Sequence, residues 1–355
     1  MIRPSVFGST ALVLAAFSAF ACAETRYLVQ AGPGQLELFT KARPLEDALA
    51  DPETDPRTRA LLREVLQISE FANGAGLATK GNYEKYVDLD RSAVVYFLAG
   101  SRELSFEAKL WSFPIVGSFP YTGWFDYWEA RAARERLQAD GWDVYLRPVR
   151  AYSTGGWLND PLLSTMLTGG DDAIRYLVNV VLHELTHSNF FIPDQATFNE
   201  SLASFVGDQM ADDYLVARFG AESEQVSLYR TDLEMSEARI TVMAKAYKDL
   251  ETLYASDQSK TEKRAKKRGI LRTLRIDADL PYEPNNASLV GFKTYNSGQK
   301  ELAALFVGCG RDWKRFFAVV KKLNQKSFPS PQLETLGPFL DGLAKAECPR
   351  VTLRK

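Results

Sequence analysis

The chain contains two histidines, and both fall in the stretch His183-Glu184-Leu185-Thr186-His187. Four residues on a helix is about one turn, so the two imidazoles share a face. Neutral imidazole suits Zn²⁺. Two such rings from adjacent turns leave room for a third protein ligand and a water, the open coordination of a catalytic site. Glu184 stands beside that water. A carboxylate there can take a proton from water whose pKa the metal has lowered to about 7, and pass it to a leaving amine. The chemistry expected is metal-assisted hydrolysis, with one Zn²⁺ on His183 and His187 and with Glu184 as general base.

The run Ile174 to Leu182 (IRYLVNVVL) is apolar nearly all round, which predicts a buried helix carrying the motif. A five-residue pattern also arises by chance, mostly on surface helices. A buried helix, by contrast, has no packing reason to hold two imidazoles and a carboxylate, because an unpartnered buried charge is costly.

With no histidine left, the third ligand must be a carboxylate. Glu200 leads, in Phe198-Asn199-Glu200-Ser201-Leu202-Ala203-Ser204-Phe205. On its helical face Ala203, Ser204 and Gly207 are small, which lets a second helix approach the first closely. The alternative for Glu200 is a capping box with Thr197, and Asp194 is the second candidate ligand.

The negative charge that develops on an attacked carbonyl needs a further donor. Tyr295 (in KTYNS) and Tyr152 (in AYSTGG) are the candidates, each in an irregular polar segment, with a packing role as the alternative for either. Tyr295 is preferred because it follows the metal helices and could fold back over them. Ser153, Gly155, Gly156 and Trp157 follow a strand. They are expected to form an edge that presents backbone groups to an extended peptide, or else a simple glycine turn.

The elements that must position these groups read as α+β, mostly α. Helices are expected from Gln35, from Asp55 to Phe71 and from Asp126 to Asp140, and strands over Ser92–Ala99 and Asp143–Val149. Phe113 to Trp124, rich in proline, glycine and aromatics, reads as an ordered non-repetitive loop, either lining a pocket or packed over the sheet. Asp160–Met166 reads as a short helix, and Gly169 to Asp172 as the break and N-cap before the metal helix. Beyond Glu200 the text is helical: Ser223 to about Arg275, then Gln299–Val307, Arg311–Leu323 and Gln332–Ala344, interrupted at Pro281–Pro284. The basic residues from Lys260 to Arg275 read as a solvated helix face.

With 355 residues, 46% hydrophobic composition and a net charge of −2, the chain can hold one large domain or two sharing a core, and nothing in it points to nucleic acid. Arg3, the apolar run from Val6 to Phe20 and the small residues Ala19, Ala21 and Ala23 predict a signal peptide over 1–23. Cleavage after Ala21 or Ala23 fits, and so does an imperfect lipobox with Cys22 acylated. The protein is therefore expected to be exported to the periplasm, touching a membrane only through such a lipid, in that case at the outer membrane. In that oxidising compartment Cys309 and Cys348 are expected to form one disulfide. The organisation expected is an N-terminal lead-in with a small sheet over 24–170 and a helical metal-binding and C-terminal lobe over 171–355.

Together with LVQAGPGQLELF, FPIVGSFPYTGWF, AYSTGGWLNDPLLSTM, FNESLASFVG and NNASLVGFKTYN, the metal motif resembles the exported proteobacterial proteins designated putative zinc aminopeptidases, many of them lipoproteins. These blocks span nearly the whole mature chain. The resemblance implies a gluzincin-like zincin fold, a peptide substrate, ligands His183, His187 and Glu200, and Glu184 as base. The glycine-methionine-glutamate-asparagine strand of other zinc aminopeptidases has no equivalent here. An envelope endoprotease or amide hydrolase therefore stays open beside an aminopeptidase. A non-catalytic binding or assembly factor on the same fold is the third reading, and the intact Glu184 speaks against it.

Overall fold

The computed structural model describes residue 27 and residues 29–113, 117–170 and 173–346, with the backbone alone at 345 and 346. The signal segment with Cys22, the N-cap candidates Asp171 and Asp172, and Cys348 lie outside the described residues. The protein is α+β and mostly helical. No helix among the described residues is long and apolar enough to cross a membrane.

The lead-in is helical, as its patterning implies: α1 covers 29–40, α2 Leu45–Ala50 and α3 Pro56–Ala75. Asp55 caps α3 by accepting from Arg57 N and Thr58 N, and Pro56 occupies the first turn, where its missing N–H costs nothing. Strands β1 (Arg43–Pro44), β2 (Lys85–Val87) and β8 (Leu162–Leu163) form a small sheet in the order β1-β2-β8. The segment 160–166, expected as a short helix, thus splits into a strand and a 3-10 turn at Ser164–Met166. Leu162 and Leu163 pair in parallel with Tyr86 and Val87, which holds this stretch extended.

The second sheet lies next to the site. It is antiparallel, with β6 (Tyr121–Trp124), β3 (Val95–Arg102) and β7 (Trp142–Val149) in the order β6-β3-β7. The segment 113–124, expected to be non-repetitive, instead supplies part of a hairpin of β4 (Trp111–Phe113) and β5 (Gly117–Phe119), and then β6. Residues 114–116 fall outside the described set. The alternation Tyr121-Thr122-Gly123-Trp124 meets the period of two that a strand requires. One face of this sheet packs Leu98, Trp124 and Val144 against Ala130 and Ala133 of α4 (Tyr127–Ala139), which Asp126 caps through Glu129 N. The other face carries Phe97, Tyr121, Tyr145 and Arg147, which share it by register.

The metal-motif helix α5 (Ala173–Phe190) and its successor α6 (Ala196–Phe219) form a hairpin, followed by α7 (Glu224–Ala255) and α8 (Lys260–Asp277). The shorter α9 (Asn286–Asn296), α10 (Gln299–Gly308), α11 (Trp313–Val320) and α12 (Gly337–Ala346) complete the chain. The largest apolar cluster runs from Leu38 through Leu177, Leu182 and Phe205 to Phe316 and Leu340. No separation of cores therefore marks residue 170. Cys309 is buried and disulfide-bonded.

Candidate metal centre

Helix α5 is buried on nearly all sides, with Leu177, Val178, Val181, Leu182 and Leu185 all enclosed. Its remaining stripe bears His183, Glu184 and His187. The two imidazoles point their Nε2 atoms at the same spot, 3.2 Å apart. Glu200 Oε2 lies 3.6 Å from His183 Nε2 and 3.5 Å from His187 Nε2. A metal ion with tetrahedral ligands at about 2.0–2.2 Å requires donor pairs separated by roughly 3.3–3.5 Å. The three edges match that triangle, and among the described residues these are the three that could hold a metal ion.

Close helix approach is what places Glu200. A methyl group at Gly207 would sit 3.2 Å from Asn179 O and 3.3 Å from His183 Cβ, so α6 crosses α5 there with no room for a larger side chain. Gln195 is the residue before α6, and Thr197 is already inside the helix, so Glu200 closes no capping box. Asn199 clamps the turn between the helices, accepting from Ile192 N at 3.0 Å and donating to Ile192 O at 2.8 Å. Asp194 is spent elsewhere. It has φ +57°, accepts from Ser118 N at 2.7 Å through one oxygen and from Gln325 Nε2 at 2.8 Å through the other.

The electrostatics follow from burial and proximity. Burial alone would raise the Glu200 carboxyl, but His187 and His183 hold it well below the usual carboxylate range. Burial raises Glu184, with Glu200 and Asp160 adding to it against the two histidines. The Glu184 carboxylate makes no hydrogen bond to any described residue, so both its oxygens remain available to a ligand.

Tyr295 lies within α9, in its last turn, and not on a break between helices. Its ring stacks on His183 at 6.3 Å between centroids and 21° between planes. Burial pushes its hydroxyl well up, and Glu200 and Glu184 raise it further, so it stays a protonated donor. A hydrogen bond from Ser201 Oγ to Thr294 O at 3.0 Å pins α9 to α6, and one from Gln299 Nε2, at the start of α10, to Ser201 O at 2.9 Å pins the next helix there too.

Tyr152 is placed elsewhere: its ring packs edge-on against Phe125 at 5.4 Å, with no hydrogen bond to the metal-ligand set. The segment 151–157 is a turn and not an edge strand. Buried Asp160 folds it, accepting from Ser153 Oγ at 3.0 Å, Thr154 N at 2.9 Å and Thr154 Oγ1 at 2.9 Å. Gly155 and Gly156 both have positive φ, and a Cβ at Gly156 would meet Ser188 O at 2.6 Å. These glycines let the turn lie on the end of α5, while Trp157 is exposed.

Sequence reading missed three residues here. Tyr121 donates to Glu200 Oε1 at 2.5 Å. Tyr83 is buried in the left-handed region at φ +65°, within the electrostatic influence of Glu184 and Asp160. Arg147 stands on the site-facing side of the sheet, over Phe97. None of the three left a strong signal, and the four-residue alternation around Tyr121 is too short to mark a strand.

Two histidines and a glutamate that could hold a metal ion, with the Glu184 carboxylate on the same helix free of hydrogen bonds to the described residues, form a site that could serve hydrolysis. The chain belongs to the family described as "Putative aminopeptidase", which matches residues 26–332. No curated protein and no solved structure matches it.

Proposed function

We propose that this protein is an exported zinc peptidase of gluzincin type, with His183, His187 and Glu200 holding the ion. The triangle of 3.2, 3.5 and 3.6 Å among their donor atoms carries this reading. Bound there, zinc would supply Lewis acidity toward a peptide carbonyl and a water.

The side chains do the rest. Glu184 accepts the proton of the attacking water and returns it to the leaving amine, a task suited to a carboxylate whose proton affinity burial has raised. Tyr295 offers its hydroxyl to the oxygen on which negative charge develops. Tyr121 occupies one oxygen of Glu200 and leaves the other facing the imidazoles. Phe119, stacked at 6.2 Å on Phe191, adds an apolar wall. The family match favours action at peptide N-termini, and the signal-like segment 1–23 supports export to the periplasm.

Metal analysis and cleavage-site mapping on a peptide library test the proposal together. About one zinc per chain is expected, with hydrolysis abolished and metal kept in Glu184→Gln. A folded wild type that binds no zinc refutes it. Cuts far from either terminus would assign it instead to the endoproteases.

A further inference from the structure

Arg147 pairs with Phe97 across the sheet, and its guanidinium carbon lies 4.9 Å from the centre of the Phe97 ring. The Phe97 ring is 4.9 Å from that of Tyr121, whose hydroxyl is 2.5 Å from Glu200. Two aromatic rings thus separate this cation from the metal ligands. It is half-buried and has neither an ion pair nor a hydrogen bond with any described residue. Arg43, Arg91, Arg218, Arg230 and Arg264, by comparison, each meet a carboxylate. The face of Phe97 offsets part of the desolvation of the cation and leaves the N–H fork unused.

Arg150 repeats the arrangement nearby. Its guanidinium carbon is 6.0 Å from the centre of the Tyr176 ring, and its side chain also lacks an ion pair among the described residues. Tyr176 belongs to α5, close to two turns before Glu184. Burial raises the Tyr176 hydroxyl, while Arg150 and Arg147 both pull against it. Two arginines without an ion pair among the described residues thus stand on the β7 side of α5, one of them over Tyr176. A planar guanidinium fork fits a carboxylate with two parallel hydrogen bonds, and neither arginine meets a carboxylate among the described residues.

We infer that Arg147, seconded by Arg150, receives the free terminal carboxylate of a short peptide lying in the site. This rests on the peptidase reading above and narrows its substrate class. An extended chain covers about 3.3–3.6 Å per residue, and two aromatic rings in contact separate Arg147 from Glu200, so a peptide held at both ends is short. Longer chains would have to carry their terminus past the two arginines.

Binding, measured apart from turnover, tests this. Calorimetric titration of zinc-loaded Glu184→Gln with tri-alanine and with tri-alanine amide should show the free acid binding at least about tenfold more tightly. In Arg147→Gln on the same background that preference should vanish, with the melting temperature and zinc content unchanged, and Arg147→Lys should restore part of it. Equal binding of acid and amide by the parent protein overturns the inference whether or not Arg147→Gln folds. So does a tripeptide amide with a glutamate side chain that binds as well as the free acid, since the arginines would then read a side chain. Should wild type cleave no peptide while the acid preference stands, the hydrolytic proposal fails and the carboxylate site survives.

Discussion

Tyr121 donates its hydroxyl proton to Glu200 Oε1 at 2.5 Å, joining positions 79 residues apart in the chain. The bond turns the carboxylate so that Oε2, and not Oε1, faces both imidazoles. Tyr121→Phe should therefore weaken zinc affinity on the order of 10–100-fold while costing about 1 kcal/mol of folding stability. Competition with a chelator of known affinity measures the first, and an unchanged affinity would show that Glu200 is oriented without its partner.

Glu200→Ala should empty the site after dialysis, as should His183→Ala or His187→Ala. Asp194→Ala should keep its zinc, because its oxygens are engaged by Ser118 N and Gln325 Nε2. It should instead lose about 1–3 kcal/mol of stability as those donors go unpaired. Metal content and thermal melting, read on the same samples, separate the two roles.

Tyr295→Phe should lower kcat on the order of 10²-fold or more with little change in KM or metal content. Tyr152→Phe, at a ring packed on Phe125, should leave kcat within a few-fold of wild type. Activity that survives the first change and falls with the second would exchange the two assignments.

Gly156→Ala forces a Cβ to within 2.6 Å of Ser188 O at a residue with φ +81°. Gly141 has the same φ of +81° and nothing within 4 Å of its missing Cβ. The Gly141 substitution should cost about 1 kcal/mol from backbone conformation alone, whereas that at Gly156 should cost about 2–4 kcal/mol because α5 must move. Denaturant midpoints of the two variants give the comparison, and similar losses would mean that the contact with Ser188 relaxes freely.

The metal helix was legible in the sequence because its signals agree: an apolar surround, helical spacing and ligand chemistry all fall in one segment. Glu200 was legible for a related reason, since small residues on its own face announce a close neighbour. Tyr121 and Arg147 were not. A single strand of four residues, Tyr121–Trp124, carries little periodicity, and its proline and glycine neighbours resemble a loop. Arg147 reads as an ordinary charge until the register of β3 and β7 shows which face it shares. Tyr295 was singled out for sitting in polar text, yet it is helical, because Asn285 caps α9 through Ser288 and the helix runs on through KTYN. At 151–157 the glycines permitted both an edge and a turn, and only the ties to Asp160 decide between them.

His183, His187 and Glu200 all lie on the α5–α6 hairpin, clamped at its turn by Asn199, whereas Tyr121 and Tyr295 arrive from distant parts of the chain. Closing so short a loop costs little entropy, while closing the long ones costs more and takes longer. Ion capture would thus be separable in time from assembly of the surrounding site, since a metal held by the hairpin would be bound before strand β7 or helix α9 has found its place. Acquisition would then depend on the metal supply where the chain folds, not where the finished protein works.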